Sequence, residues 1–393
     1  MPHFFSVLSF LRRFVAIVLL SLLAACSLPQ VQAQDRLFLD LSLEFLDEYQ
    51  LPETAFEETP VGGLSALTYD RSGDRFYAIS DDRGNLAPSR FYTLRVALNG
   101  ENGDGIGIDT VSIEDVTTLK NQDGKPYPAG SIDPEGIALT AEGTVAISSE
   151  GDSSAAIAPF VGEYDLATGQ LQQLYPLPPY YTPDEAGELQ TMGVQNNLGF
   201  EALTLNFGGT MVPGEPFRVF AATESALLQD VEKIDESADA TPERSKVRLL
   251  HYLVTGGRPQ ILAEHLYRLE PPPFLAVNGL TELVSIDGGG HFLSLERSFG
   301  VGGNGAKIFQ LALGDANDIA GYETLKGDVS GVRSIRKQLV LDLGELEITL
   351  DNLEGMTLGP KLPDGSPSLL LVSDDNFSEE QVTQFLLFRL KNN

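Results

Sequence analysis

The 393-residue chain has no tryptophan, one cysteine, four methionines and four histidines. A single cysteine excludes an internal disulfide framework, and so few histidines exclude an imidazole-rich metal centre. Basic residues are also scarce: 26 lysines and arginines stand against 56 aspartates and glutamates, for a formal net charge of −30. A surface with that balance repels nucleic acid and anionic membranes, so no nucleic-acid partner is expected. The chain contains no G-x-S-x-G elbow, no H-E-x-x-H and no G-x-x-x-x-G-K-[ST] loop, which removes the best-marked serine-hydrolase, zinc-protease and nucleotide-binding readings. Plentiful are glycine (39) and proline (23), with 42% apolar residues. That composition suits a turn-rich β protein with a sizeable core.

One long apolar run is present, VAIVLLSLLAA, behind Arg12 and Arg13. It has the length and basic flank of a signal peptide and is too short to span a bilayer comfortably. Residues 1–25 are therefore read as a leader of lipoprotein type, because it ends LAAC and Cys26 is the only cysteine. Cys26 is the lipidation candidate, 26–35 a linker and 36–393 the folded domain; the competing reading is cleavage after Ala33. Either reading exports the protein, as a periplasmic or cell-surface lipoprotein or a secreted protein. A monomer is expected, touching membrane only through the N-terminal lipid.

Internal repetition sets the architecture. Five segments begin alike: GLSALTYD at 63, DPEGIALT at 133, GFEALTLN at 199, GLTELVSI at 279 and NLEGMTLG at 352. Each is followed by a second and a third apolar run separated by turn residues such as DRSGD, TAEG and DGGG. A fourth strand follows in the first four units, and the last unit lacks one. The unpaired candidate is RLFLDLSLEFL at 36–46. The pattern predicts an all-β propeller of five four-stranded blades, with six as the alternative, closed by the N-terminal strand completing the last blade.

Aligned by repeat, the third position of the opening motif reads Ser65, Glu135, Glu201, Thr281 and Glu354. The close of the second strand supplies Asp81 and Asp82, Glu150 with Asp152, Glu224, Glu296, then Asp374 and Asp375. In antiparallel pairs, the start of one strand and the end of the next lie at the same end of the sheet. Both sets are therefore expected around one mouth of the central channel. Two unit charges about 4 Å apart repel by about 4 kcal/mol at an effective dielectric near 20, so such a cluster needs protons, arginines or metal ions. Oxygen donors alone favour a hard divalent cation, Ca²⁺ before Mg²⁺ or Mn²⁺. Glu135, Glu150, Glu201, Glu224, Glu296 and Glu354 are the candidate metal ligands. Asp81, Asp82, Asp374 and Asp375 are candidate ligands or catalytic bases. Arg83 and Arg297 either neutralise the cluster or grip a phosphate. The alternative for each acid is turn capping at a strand end. His251, His265 and His291 read as core or surface residues. The glycine-rich FGVGGNGAK (299–307) reads as a loop over the channel face, the polar run 229–246 as an exposed insertion, and the Pro-Tyr segment 176–185 as packing or a carbohydrate platform.

The five motif blocks, in order from about residue 60 to the C-terminus, resemble the bacterial "esterase-like activity of phytase" (phytase-like) family. The resemblance implies a propeller, phosphoesterase-type activity and functional acids at positions matching Glu135, Glu201, Glu354, Asp81, Asp82, Asp374 and Asp375. Glutamate opening an E-G motif on an inner strand is also similar to the metal-binding glutamate of gluconolactonase-type propellers. The resulting expectation is an exported metal-dependent phosphoesterase taking a small phosphoester or carbohydrate ligand. The alternative is a non-catalytic, lipid-anchored propeller that binds a cation, a carbohydrate or a protein.

Overall fold

The second run of each repeat is apolar at consecutive positions, as in TVAISS and LLLVSD, and those residues are buried without alternation. Strands covered on both faces read this way. The outermost runs of the first blades instead mix buried and exposed positions, as in the IDTVSIEDVTT and LQQL strands, where one face meets water. The computed structural model describes residues 37–100, 105–206, 212–232 and 245–392. The leader, Cys26 and the linker to residue 35 lie outside the described residues, as do residues 233–244 of the polar insertion.

In chain order, β1 (Leu41–Leu51) precedes a short hairpin of β2 (Thr54–Phe56) and β3 (Thr59–Val61). Blade one holds β4 (Leu64–Asp70), β5 (Arg75–Ser80), β6 (Arg90–Leu98) and β7 (Ile108–Thr118). Blade two holds β8 (Pro134–Leu139), β9 (Thr144–Ser149), β10 (Phe160–Asp165) and β11 (Leu171–Leu174). Blade three holds β12 (Phe200–Asn206), β13 (Phe217–Thr223), β14 (Lys246–Thr255) and β15 (Arg258–Arg268). Blade four holds β16 (Ala276–Ser285), β17 (His291–Gly300), β18 (Gly303–Ala312) and β19 (Arg336–Asp342). Blade five holds β20 (Asn352–Lys361), β21 (Pro367–Asp374) and β22 (Thr383–Asn392). All belong to one compact unit, Asp40–Asn393.

Among the described residues there are five four-stranded antiparallel sheets, and the molecule is a five-bladed β-propeller. The fifth sheet runs β1-β22-β21-β20, with β1 against β22 from Leu41↔Asn392 to Leu51↔Thr383. The innermost strands β4, β8, β12, β16 and β20 each touch the next, and β20 touches β4, so they form a ring. Each gap between adjacent blades is filled by its own apolar cluster. Ala202, Phe220 and Tyr267 of blade three meet Leu280, Leu283 and Phe292 of blade four, and Val284 and Leu295 of blade four meet Leu353, Met356 and Leu371 of blade five. The Pro-Tyr segment is part of this packing: Tyr181 is fully buried, stacks on Phe200 at 5.2 Å and donates to Glu264. Tyr180 beside it is half-buried, stacked on Tyr181 at 5.4 Å and donating to Glu264 at 2.9 Å.

The fourth motif position is small in four blades (Ala66, Gly136, Ala202, Gly355), but blade four places Glu282 there. Glu282 is 1% exposed, and its Oε1 accepts from Leu283 N (2.9 Å) and Leu203 N (3.3 Å). The carboxyl ties the inner strands of blades three and four, and burial pushes its pKa well up. Removing it by Glu282→Ala leaves buried amides unpaired at a cost of about 1–3 kcal/mol each. A clear fall in the urea midpoint is expected, smaller for Glu282→Gln; a midpoint unchanged in Glu282→Ala would contradict this role.

Candidate acidic site at the channel mouth

Every inner strand carries a β-bulge at the same motif position. The register shifts fall between Leu64 and Ala66, Pro134 and Ile137, Phe200 and Leu203, Leu280 and Glu282, and Leu353 and Gly355. The residues inside those shifts include Ser65, Glu135, Glu201, Thr281 and Glu354, the third motif position. A bulge re-aims a side chain out of the ordinary alternation, and the repeated bulge turns this position into a ring.

The second ring follows from pairing. The second motif residue opposes Ser80, Ser149, Thr223, Glu296 and Ser373. The next residue on each second strand is therefore equivalent: Asp81, Glu150, Glu224, Arg297 and Asp374. Blade four supplies an arginine where the others supply an acid. Glu296 is one residue out of register with the acids of the other blades, and a one-residue offset reverses the face. It points between blades three and four, where Tyr267 Oη (2.6 Å), Glu270 N (3.0 Å) and Lys337 Nζ all donate to it. The structure does not bring Glu296 to the mouth.

Asp82 and Asp375 also lie one residue beyond the ring, and both are consumed in structural bonds. Asp82 accepts from Asn85 N (2.8 Å), Ala87 N (2.9 Å) and buried Arg90 Nη1 (2.7 Å). Burial raises its pKa, but Arg90 and the loop amides outweigh that and hold it below the usual range. Asp375 accepts from Gly63 N (2.8 Å), Phe377 N (3.0 Å) and Thr383 Oγ1 (2.7 Å), joining blade five to blade one. Asp152 caps the short turn that follows it, accepting from Ser154 N (2.9 Å). His251 and His265 sit on blade three's outer strands, and His291 pairs with Asp287 at 2.7 Å.

The mouth proper therefore contains Asp81, Glu135, Glu150, Glu201, Glu224, Glu354 and Asp374, joined by Asp133. Sequence reasoning missed Asp133 and Asn352, the two polar residues at the first motif position, where the other blades have glycine. The glycines make room for a ring acid, that of the preceding blade at Gly199 and Gly279 and that of its own blade, Asp81, at Gly63. A Cβ on Gly279 would lie 1.9 Å from Glu224 Oε1, and one on Gly199 would lie 2.5 Å from the Glu150 carbonyl oxygen. A polar residue in place of that glycine was the signal. Asn352 Nδ2 donates to Glu354 Oε1 (2.9 Å) and Asp374 Oδ2 (3.4 Å), while its Oδ1 accepts from Arg297 Nη1 (2.6 Å).

Two arginines answer this charge. Arg297 pairs with Glu224 (2.8 Å) and Glu354 (3.0 Å), bridging blades three and five across its own. Arg83 pairs with Asp133 and, at 3.8 Å, with Asp152, and its side chain is 30% exposed. They do not balance the acids. Burial first, and then Glu201 and Asp133, push Glu135 well above the carboxylate range. Glu150 and Glu201 are raised for the same reason, burial plus each other's neighbourhood of acids, and Asp81 is raised by burial and by Asp374. Burial lifts Glu354 to about 8 in spite of Arg297. Burial also lifts Asp133 to about 6 against Arg83, and Asp374 to about 6.

The donor set fits a hard cation. One oxygen each from Asp133, Glu135 and Glu150 lie within 4.8 Å of one another, and so do oxygens from Glu150, Glu201 and Glu224. Buried carboxylates alone, at that spacing, could hold a divalent ion, and Glu150 belongs to both groups.

Fold and site together define a five-bladed propeller with an acidic channel mouth. Within that class the chain belongs to the family described as "Phytase-like: Esterase-like activity of phytase", which it matches over residues 59–377. No curated protein sequence matches it. Similar solved structures include an endo-arabinase from Bacteroides thetaiotaomicron VPI-5482, at 10% identity and TM-score 0.40, covering 84% of this chain and 94% of that one. Another is an alpha-L-arabinanase from Penicillium chrysogenum complexed with arabinobiose, at 9% identity and TM-score 0.38, covering 84% and 80%. The N-terminal domain of Nup159 gives 11% identity and TM-score 0.32, covering 90% and 96%.

A carboxyl whose folded pKa is raised binds its proton more tightly in the native state. The stability it lends is present below its unfolded value and is lost as pH rises through the folded one. For Glu354 that window runs from 4.5 to about 8, and for Asp133 and Asp374 from 3.8 to about 6. Metal-free protein is thus expected to melt at progressively lower temperature from pH 5 to 8, with a shallower slope in Glu354→Gln. A melting temperature flat or rising over that range, at fixed ionic strength, would refute the buried-acid electrostatics.

Proposed function

We propose that the protein is a metal-dependent hydrolase of phosphoesters, with its centre at the acidic mouth. The observation that carries this reading is the pair of buried carboxylate triads sharing Glu150, in a chain whose family is described by esterase-like activity. Asp133, Glu135, Glu150, Glu201 and Glu224 would hold the cation, with Ca²⁺ the first choice for an all-oxygen set. When bound, the ion supplies Lewis-acid polarisation of a phosphoryl oxygen and lowers the pKa of a water.

The remaining groups divide the proton work. Glu354, lifted to about 8, carries a proton at neutral pH that it can give to a departing oxygen. Asp374, at about 6, is largely ionised there and can accept one. Asp81, at the edge of the ring, is held up by the same crowd. Arg83 is the cation that reaches solvent, so it is the one placed to orient an incoming phosphate. Arg297 is committed to Glu224, Glu354 and Asn352; it holds the cluster together and is not free to grip substrate.

The acid excess explains why a cation must come first: an anionic substrate meets repulsion until the local sign is reversed. Metal-stripped protein titrated with Ca²⁺, Mg²⁺ and Mn²⁺ is expected to gain several degrees in melting temperature with at least one ion, since a ligand of the folded state alone raises it. Glu150→Gln should abolish the gain and reduce hydrolysis of p-nitrophenyl phosphate at least a hundredfold, whereas Glu296→Gln should keep the gain. If no ion moves the parent's melting temperature, or Glu150→Gln responds like the parent, the proposal fails.

A further inference from the structure

Blade four is longer than the others at the mouth. The other inner strands begin at the first or second motif position, but β16 starts three residues earlier, at Ala276, and β17 runs on to Gly300, four residues past Glu296. Four residues of strand are roughly 13 Å. The glycine-rich 299–307 holds the tight turn between β17 and β18, closing at Gly300↔Gly303.

The projection is uncharged. Residues 271–281 and 298–306 contain no Asp, Glu, Lys or Arg, in a chain that is 21% charged with net charge −30. Its tip instead exposes Phe274 (89%), Leu275 (64%), Val277 (70%), Phe299 (58%) and Val301 (83%). Isolated exposed apolar residues are ordinary, but a contiguous group on a charged protein marks a contact site.

The register says where the group looks. Gly279 opposes Arg297, Val277 opposes Phe299, and Val301 N donates to the Leu275 carbonyl at 3.4 Å. Opposed residues and residues two apart share a face. Val277 and Phe299 therefore stand on the face that carries Arg297, with Leu275 and Val301 in the turns just beyond them, and Arg297 reaches Glu224 and Glu354 of the acidic mouth. Gly279 confirms the direction, since its missing side chain would collide with Glu224. The apolar residues form a wall rising from the rim of the carboxylate cluster.

We infer that this wall binds the apolar group of the ester taken at the mouth, so the substrate is an amphiphile: an anionic phosphoester head bearing an alkyl or aryl substituent. The inference rests on the hydrolase reading above and adds the substrate class to it. Continuity with the mouth argues for a substrate group over any separate partner, because a ligand anchored at the carboxylates has the wall directly beside it. Charge argues the same way, since the wall is the part of the rim where an uncharged group meets no field of like residues.

The test uses non-hydrolysable methyl-, butyl- and octylphosphonate, titrated calorimetrically into the Ca²⁺-loaded protein, for the parent and for Phe299→Ser/Val301→Ser. Both side chains are exposed, and an unchanged melting temperature verifies that the variant is folded. The parent is expected to bind more tightly with chain length, roughly twofold per methylene, about half the full-burial gain because the wall covers one side. The variant should bind methylphosphonate as the parent does and lose the increment. If the parent binds all three equally, or the variant keeps the increment, the wall is overturned while the mouth stands. If methylphosphonate itself does not bind, the anionic head and the hydrolase reading fail together. Co-flotation of the parent, but not the variant, with phosphatidylcholine vesicles and without a chain-length increment would assign the wall to a bilayer and also overturn the proposal.

Discussion

Buried like charge at the meeting point of five blades is the constraint on which the rest of this structure depends. Eight carboxyls, Asp81, Asp133, Glu135, Glu150, Glu201, Glu224, Glu354 and Asp374, stand against Arg83 and Arg297. Moving a charge out of water is costly unless it is paired, and here the pairing is incomplete. The shortfall appears as raised pKa values at Glu354, Asp133 and Asp374. Protons meet the deficit when no ion is present, and the grouped oxygens of Asp133, Glu135, Glu150, Glu201 and Glu224 could hold a divalent cation in their place.

The backbone shows what this arrangement requires. A bulge in each inner strand aims one side chain at the axis, and glycine at the first motif position of blades three and four lets the preceding blade's acidic residue approach. Blade four breaks the repeat twice: Arg297 replaces the ring acid, and Glu282 replaces the small fourth residue. Arg297 joins Glu224 of blade three to Glu354 of blade five, so the odd blade supplies a counter-charge for both neighbours. Stability comes from elsewhere. Separate apolar clusters such as those around Phe220 and Leu371 fill the gaps between blades, and this permits a strained mouth on a firm ring.

Most of the architecture was legible because the repeat is regular. Five opening motifs and their second strands located the blades, and the third-position glutamates and ring acids followed from counting residues. Legibility failed where counting and hydrogen-bond register diverge. LSLERS looks as though it offers Glu296 in the place of Asp81 or Glu150, but pairing of Leu280 with Glu296 puts Arg297 there instead. Asp82 and Asp375 were equally attractive in SDD, yet alternation turns one acid of each pair toward loop amides. Asp133 and Asn352 were hidden because a first-position polar residue has meaning only beside its neighbour blade. The wall on blade four was hidden because strand length past the mouth is set by pairing, and its glycines read as a loop.

The central claim is that protons and a cation compete for the same buried carboxyls. Calorimetric titration of the metal-free protein with Ca²⁺ at pH 7, repeated in buffers of different ionisation enthalpy, counts the protons released per ion bound. The account predicts saturable binding that releases a proton, with the release reduced in Glu135→Gln, since burial and Glu201 hold the pKa of the Glu135 carboxyl well above the usual range. Binding with no dependence on buffer, or no binding at all, would contradict it.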